Sequence, residues 1–249
     1  MEKRATIMSM PVILNIVDTR VKDDDFESIF QYLRTIDRQF STFNDESETT
    51  KINRGESNIE NYSPEMRKVI ALGRQTKSET NGYFDIYSEG KLDPAGIVKG
   101  LAIYEATRKL QNMGYHNFYL EIAGDVQAMG RNAEGEKWKI GIRNPFEPSE
   151  IVKIVYLSGQ GIATSGNYMR GKHIIDPIHQ ERADEISSMT VIASNVYEAD
   201  RFATATFAMG EKGINFLEKT EGLEGYMIGK DKIAKMTSGF DKYLMEGNK

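Results

Sequence analysis

Four strand-like segments follow one another between residues 117 and 157 with no helix between them. Strands that follow one another without a crossover helix pair as antiparallel neighbours. Elsewhere helices and strands are mixed without a strict strand–helix–strand alternation. The sequence therefore predicts the α+β class, with a mostly antiparallel sheet and packed helices.

The helices are predicted from apolar residues that recur at helical spacing. Residues 23–40 have this pattern and an acidic first turn, which suits the positive end of the helix dipole. Ser63 and Pro64 indicate the start of a second helix, which Asn81–Gly82 ends. Further helices are predicted at about 98–113, 197–209 and 211–219. The predicted strands are 5–17, 117–122, 126–129, 137–143, 152–157, 187–194 and a pair near 224–237. Polar or glycine-rich connections are predicted at 41–62, 83–97 and 159–172.

Composition excludes several classes of protein. The chain has no cysteine, so disulfides, thiolate zinc sites and cysteine nucleophiles are excluded. The net charge of −5 argues against nucleic acid or anionic lipid as the main partner. No stretch approaches the roughly 20 apolar residues of a membrane helix. The first residues lack a signal-peptide pattern. We expect one domain over 1–249 that is cytoplasmic as sequenced, or extracytoplasmic or periplasmic if a leader was removed.

The segment Asp93–Gly100 leads into a predicted helix. Gly96 and Gly100 allow close approach of a ligand or another backbone. A helix N-terminus offers free N–H groups to a phosphate, and Lys99 adds a positive charge. The alternative is an ordinary loop-to-helix junction with a solvated lysine. The spacing does not match a P-loop.

Two further segments carry polar side chains at turns. Ala163–Tyr168 places small hydroxyl residues beside glycine, which suits a phosphate or a ligand edge as well as an ordinary turn. His173–Pro177 holds a histidine that could act as a general base or hydrogen-bond a ligand. The alternative is a half-buried histidine satisfied by a neighbour.

Asp200 and Thr204 are four residues apart and share one face of a helix that is otherwise small and apolar. Oxygen ligands of this kind suit Mg²⁺, which takes one or two carboxylates together with waters and substrate phosphates. The alternative is an aspartate that interacts with the helix dipole and a threonine that bonds back to its own helix.

These segments occur in the same order in the FAD:protein FMN transferases, a family formerly described as thiamine-biosynthesis lipoproteins, and the chain resembles that family. The resemblance covers about 200 residues. The matching segments are Met8–Val12, Phe40–Phe43, Gly82–Asp85, Asp93–Gly100, Ala123–Asp125, Ile140–Pro145, Ala163–Tyr168, His173–Pro177 and Ala199–Thr206. The family likeness implies two interlocked lobes around an FAD cleft.

The resemblance also implies roles for individual residues. The magnesium ligands would be Gly96, through its carbonyl, together with Asp200 and Thr204. The residues placed at catalytic positions are His173, Lys99 and Asp200. The residues that would contact FAD are Met8, Phe43, Tyr83, Phe84, Asp85, Asp93, Lys99, Thr164, Ser165, Gly166 and His173. Apolar and aromatic side chains in this set would stack on the flavin or adenine rings.

This chain departs from the family pattern at several places. Phe43 stands where the family usually has tyrosine, so stacking is kept and a hydrogen bond is lost. Ala123 replaces the first glycine of a Gly-Gly-Asp motif. Residues 169–172 are shorter than the family's usual hairpin, and the likeness weakens after Pro177, where only Ile186 and Ser187 suggest a contact.

The activity implied by the resemblance is Mg²⁺-dependent transfer of FMN from FAD to a threonine or serine hydroxyl of an acceptor flavoprotein. AMP would be released, and His173 or one of the carboxylates would take the hydroxyl proton. Two alternatives use the same residues. One is an FAD pyrophosphatase that yields FMN and AMP, and the other is a flavin-binding protein without catalysis.

Overall fold

The computed structural model describes residues 1–167 and 174–244. The strands are β1 (Glu2–Ile7), β2 (Met10–Ile16), β3 (Tyr87–Ser88), β4 (Lys91–Leu92), β5 (Phe118–Ile122), β6 (Asp125–Met129), β7 (Trp138–Arg143), β8 (Ile151–Leu157), β9 (Gly161–Gly166), β10 (Ile175–Asp176), β11 (Glu181–Arg182), β12 (Ile186–Ala193), β13 (Glu224–Gly229) and β14 (Ala234–Met236). The helices are α1 (Asp23–Phe40), α2 (Glu48–Asn53), α3 (Pro64–Glu79), α4 (Ala95–Asn112), α5 (Val196–Ala208) and α6 (Lys212–Glu218), with short 3-10 turns at Ile59–Asn61 and Phe240–Tyr243.

The main sheet has eight strands in the order β1-β2-β5-β6-β9-β12-β13-β14. Every neighbouring pair in it is antiparallel. Three further pairs, β3–β4, β7–β8 and β10–β11, form separate two-stranded ribbons. The predicted α+β class with a mostly antiparallel sheet is confirmed.

The two faces of the sheet are covered differently. Adjacent side chains of a strand point to opposite faces. On β9, Ala163 packs in one apolar cluster with residues of α5, whereas Ile162 packs in another with residues of β7 and β8. Helices α1, α3 and α4 cover the β1-β2-β5 end on the same side as α5. Helix α5 therefore packs on β9 and β6, and α4 reaches β6 beside it.

The segment predicted as one strand over 5–17 is instead a hairpin. Its register brings Ile7 opposite Met10. Met8 and Ser9 between them both have φ of 57°. Two successive positive φ angles are typical of the tight turns that match the twist of a β-hairpin. The alternation of residue types continues through this turn, so the sequence pattern does not reveal it.

The region 159–172 was predicted as a turn, but residues 161–166 of it form the central strand β9. This strand pairs with β6 on one side and β12 on the other. Its small residues are required by close packing, since a Cβ on Gly161 would lie 1.9 Å from the backbone nitrogen of Val196. Small residues that suggest a turn in the sequence are therefore needed here for close contact between β9 and α5.

Smaller differences concern the connections. The predicted loop 41–62 contains α2, whose N-terminus is capped by Ser47 accepting a hydrogen bond from the Thr50 N–H at 3.0 Å. Helix α4 begins at Ala95, three residues before its predicted start. Among residues 1–167 and 174–244, each helix is too short or too polar to cross a bilayer.

Candidate active site

Helices α4 and α5 are in close contact at Gly100. A Cβ on this glycine would stand 2.7 Å from the Cβ of Asp200 and 3.0 Å from the Val196 carbonyl oxygen. The Gly100 N–H donates to Oδ2 of Asp200 at 2.8 Å. In a regular helix this N–H would bond to the Gly96 carbonyl. The Asp200 carboxylate competes with that carbonyl for the same donor.

The ammonium of Lys99 lies between two buried carboxylates. Its Nζ is 3.5 Å from Oδ1 of Asp200. It also lies against Oδ2 of Asp125 at ion-pair distance, off the direction of a regular hydrogen bond. The side chains of Asp125 and Asp200 are 2% and 5% exposed. Among the described residues, two carboxylates face one ammonium, so the carboxylates outnumber the cation.

Burial raises the pKa of Asp200 to about 7, and the nearby Asp125 carboxylate acts in the same direction. The Lys99 ammonium and the Gly100 N–H oppose this rise. Burial penalises the ionised form of a carboxyl, whereas a nearby positive charge favours it. A cation that reached Asp200 would be held by a carboxylate whose charge is incompletely compensated.

Three further predicted residues, Ser165, Thr204 and Gly96, lie beside this cluster. The hydroxyls of Ser165 and Thr204 are 3.4 Å apart, so β9 and α5 meet there through polar groups. A Cβ on Gly96 would be 3.5 Å from Cγ2 of Thr204 and 3.0 Å from the Phe84 ring. The fold therefore brings the first turn of α4 against the face of α5 that carries Asp200 and Thr204.

The two neighbours of Ser165 on β9 have different environments. The Thr164 N–H donates to Oδ1 of Asp125 at 3.2 Å. The Thr164 hydroxyl, however, shares a 2.9 Å hydrogen bond with Thr190 on β12. Gly166 pairs with Ser188. Thr164 contributes its backbone to the cluster, because its side chain points to the opposite face of the sheet from Ser165.

The aromatic residues predicted to stack on FAD are not equivalent. Phe43 is 98% exposed, in the loop after α1. Tyr83 is half-buried against the apolar cluster of α5 and α6. Phe84 is only 3% exposed, and its ring packs against Gly96. The Phe84 ring is therefore occupied by protein contacts in this structure, and its predicted contact with FAD stays a prediction.

The remaining predicted contacts lie on separate turns. Met8, in the β1–β2 turn, donates its N–H to Oδ2 of Asp37 at 3.1 Å. Asp85 accepts a 2.5 Å hydrogen bond from Lys77 and another from the Tyr87 N–H at 2.9 Å. Asp93 is exposed and accepts from the Ala95 N–H at 3.1 Å, at the start of α4. The partners of Asp85 and Asp93 lie within eight residues and stabilise their own turns, whereas Asp37 lies on α1 and joins that helix to the β1–β2 turn.

His173 and Tyr168 lie outside the described residues, so their predicted roles stay predictions. Asp125 ends the Ala123–Asp125 segment, to which the sequence assigns no role. The signal available for it was an aspartate directly after a glycine turn between two strands, and the fold places that aspartate against Lys99. Ile186 is buried, and Ser187 donates to the Gly229 carbonyl at 3.3 Å, so neither faces this cluster through a described contact.

The donor chemistry fits magnesium. Asp200 offers a carboxylate, Thr204 a hydroxyl and Gly96 a carbonyl, all hard oxygen ligands. Residues 1–167 and 174–244 contain no group of three or more His, Asp or Glu placed to hold a metal. A cation at this position would have one carboxylate, one hydroxyl and one carbonyl of the protein as ligands, and phosphate oxygens of a substrate would complete its coordination, which is how Mg²⁺ is often bound.

The chain is similar in sequence to a known protein family. The model of the ApbE family matches residues 6–89 and 87–227. The FAD:protein FMN transferase of Haemophilus influenzae is 30% identical over 165 residues, which is 61% of this chain and 48% of that protein. The enzyme of the same name from Escherichia coli K12 is 30% identical over 150 residues, 56% of this chain and 43% of that protein. The chain spans about half the length of the curated relatives it matches.

Solved structures show the same fold. An ApbE protein from Thermotoga maritima superposes with a TM-score of 0.88 at 21% identity, covering 99% of both chains. The flavin transferase ApbE from Vibrio cholerae gives a TM-score of 0.85 at 21% identity, covering 98% of this chain and 99% of that one. At this identity the likeness establishes the architecture.

Proposed function

Since this chain belongs to the ApbE family, we propose that it transfers FMN from FAD to a threonine or serine hydroxyl of an acceptor flavoprotein and releases AMP. The observation that carries the proposal is the Lys99–Asp125–Asp200 cluster, with Thr204 and Gly96 beside it, where α4 meets α5. It combines a cation with buried carboxylates at the N-terminus of an 18-residue helix. Such a helix end suits a diphosphate.

Asp200, Thr204 and the Gly96 carbonyl would hold a magnesium ion. When bound, the ion neutralises charge on the phosphates and makes AMP a better leaving group. Lys99 adds a positive charge beside the same phosphates. In phosphoryl transfer most of the protein's contribution is positioning and charge stabilisation, which fits residues fixed on two packed helices and a sheet.

The reaction balances as a substitution at phosphorus. The acceptor hydroxyl oxygen forms a bond to the FMN phosphorus, and the bond from that phosphorus to the bridging oxygen breaks. AMP leaves with the bridging oxygen and its electron pair. The hydroxyl proton passes to a base, which is His173 or one of the carboxylates. The products are a phosphoester-linked FMN on the acceptor and free AMP.

Exposed Phe43 and half-buried Tyr83 are the ring-bearing residues available to stack on the flavin or the adenine. Asp85 and Asp93 lie on the loops before α4 and would contact polar edges of FAD. Flavoproteins that carry a short Thr- or Ser-containing acceptor motif are the proposed partners.

The test is incubation with FAD, Mg²⁺ and candidate acceptor proteins, followed by mass spectrometry of the acceptor. A covalent FMN on a threonine or serine, formed only with Mg²⁺, supports the proposal. Chromatography of the same mixtures separates the alternatives. FMN and AMP formed without acceptor indicate a pyrophosphatase, and unchanged FAD that binds equally with and without Mg²⁺ indicates a non-catalytic flavin-binding protein.

A further inference from the structure

We propose that Asp125 is a positioning residue that holds the Lys99 ammonium away from Asp200, so that Asp200 remains available to a divalent cation. This inference rests on the cation site of the proposed function. It concerns a competition between two cations, the lysine ammonium and the metal ion, for one carboxylate oxygen.

The two oxygens of Asp200 have different partners. Oδ2 accepts the Gly100 N–H at 2.8 Å, and that donor is fixed in the backbone of α4. Oδ1 faces Lys99 at 3.5 Å. A metal ion that binds Asp200 must therefore share or take Oδ1, the oxygen nearest to the ammonium.

Asp125 is well placed to keep the ammonium. It is 1% exposed, and its Oδ1 accepts the Thr164 N–H at 3.2 Å from the neighbouring strand. Its Oδ2 lies in closer contact with the ammonium than Asp200 does. The carboxylate is held by the sheet, whereas lysine has a flexible four-carbon stem. Among the described residues, Asp125 and Asp200 therefore compete for the ammonium.

Removing the charge of Asp125 changes that balance. Leaving a buried charge without its partner is costly, so the ammonium would move fully to the carboxylate that remains, Asp200. The metal ion would then have to displace it. Asp125→Asn is the informative substitution, because an asparagine oxygen can still accept the Thr164 N–H while the negative charge is lost.

The experiment measures binding of Mn²⁺ alone, as a probe for Mg²⁺, by the loss of the free-ion EPR signal. Four full-length proteins are compared: wild type, Asp125→Asn, Lys99→Met and the double variant. We expect Asp125→Asn to weaken Mn²⁺ binding about tenfold or more, the size seen when groups that orient metal ligands are removed. In the Lys99→Met background the same substitution should change the affinity less than about twofold, because the competing ammonium is gone.

The double variant separates this role from simpler ones. If Asp125 acted by attracting the metal directly, or by holding the fold together, Asp125→Asn would weaken binding in both backgrounds, and the inference would be overturned. Glu224→Gln is the matched control, since it removes a carboxylate with a 14% exposed side chain from β13, two strands from β9, where its partners are Lys242 and the Thr237 hydroxyl. It should leave the affinity within about twofold of wild type.

The outcome is distinguishable from failure of the proposed function. A wild-type protein that takes up no Mn²⁺ overturns the inference, whatever the acceptor assay gives. Normal Mn²⁺ uptake with the expected double-variant pattern supports it even if no acceptor receives FMN, because the measurement contains neither FAD nor acceptor.

Discussion

Two neighbouring residues of α5, Asp200 and Arg201, belong to two ionic clusters whose carboxylates differ in burial. Asp200 shares one ammonium with Asp125 and carries a raised pKa. Arg201 is 5% exposed and is saturated with acceptors. Its Nε and Nη2 donate to Glu198 at 3.0 and 2.5 Å, and its Nη1 donates to Glu79 and to the Thr76 hydroxyl. Its guanidinium carbon also lies 4.2 Å from the Phe202 ring centroid.

The difference separates a structural cluster from one suited to binding. Both clusters place two carboxylates around one cation. The side chains of Glu79 and Glu198 are 37% and 27% exposed, so water stabilises their charges while Arg201 fastens α3 to α5. The side chains of Asp125 and Asp200 are 2% and 5% exposed, so these carboxylates are buried against their preference for water. Groups with strongly shifted pKa values tend to mark functional sites, whereas saturated networks also occur for stability alone.

The largest expected effect comes from Asp200→Ala, which removes the only carboxylate proposed as a metal ligand. We expect FMN transfer in the presence of Mg²⁺ to fall by about 10²–10³-fold, because a bound metal contributes several kcal/mol of charge stabilisation. Transfer is measured by mass spectrometry of the acceptor. Asp45→Ala, which breaks an exposed pair with Arg54, is the control and should keep wild-type activity. A fully active Asp200→Ala protein would show that the metal ligands are assigned incorrectly.

Arg201→Met tests the other cluster. It removes the arginine shared by Glu79 and Glu198, so we expect the free energy of unfolding to fall by about 3 kcal/mol, the lower end of the range for broken buried pairs. Urea unfolding measures this. Arg34→Met, at an exposed pair with Glu27, should cost less than about 1 kcal/mol. If Arg201→Met unfolds like wild type, the cluster does not fasten the helices.

Gly100→Ala tests the contact between α4 and α5. The added methyl would stand 2.7 Å from the Asp200 Cβ and must push the carboxylate aside. We expect a loss of about 1–3 kcal/mol in the free energy of unfolding, as for other overpacked sites, together with weaker Mn²⁺ binding. Gly159→Ala is the control, because a Cβ there meets no atom within 4 Å. Equal stabilities for the two variants would contradict the close approach.

The smallest effect is the pH dependence contributed by Glu79. Partial burial alone would raise its pKa, but hydrogen bonds from Gln75 and Arg201 leave the pKa below its ordinary value of 4.5. A carboxyl with a lowered pKa stabilises the folded state above its unfolded pKa and loses that contribution as the pH falls. The free energy of unfolding of wild type should therefore exceed that of Glu79→Gln by less than about 1 kcal/mol near pH 7. The difference should shrink steadily below pH 4.5 in denaturant unfolding, and a constant difference would contradict the assignment.

The sequence was most informative where the contacts are local. Helix α1 has the predicted bounds of 23–40, because its apolar stripe repeats at helical spacing. The common face of Asp200 and Thr204 follows from a separation of four residues. The strand β9 was missed because its pairing with β6 and β12 is non-local, and no local pattern distinguishes a small-residue strand from a turn.

The partners of the charged residues were also beyond local patterns. Arg201 donates to Glu79, which lies 122 residues earlier, and Gly100 donates to Asp200 across 100 residues. Nothing in the chain near Asp125 indicates that its carboxylate will meet Lys99. Such contacts follow from the order of strands in the sheet, which a single sequence leaves open.

The sheet is joined at its middle by only two residue pairs, Val126–Ile162 and Gln127–Gly161, whereas β5–β6 has five and β9–β12 has six. The side chain of Gln127 strengthens this seam by accepting the Val196 N–H at 2.8 Å and donating to the Gly159 carbonyl at 3.2 Å. The carboxamide of Gln127 thus connects β6 to the start of α5 and to the turn before β9. To divide this protein into two complementing fragments, the chain would best be separated at the β6–β9 pairing. Gln127 should be kept, because its hydrogen bonds hold the two parts together.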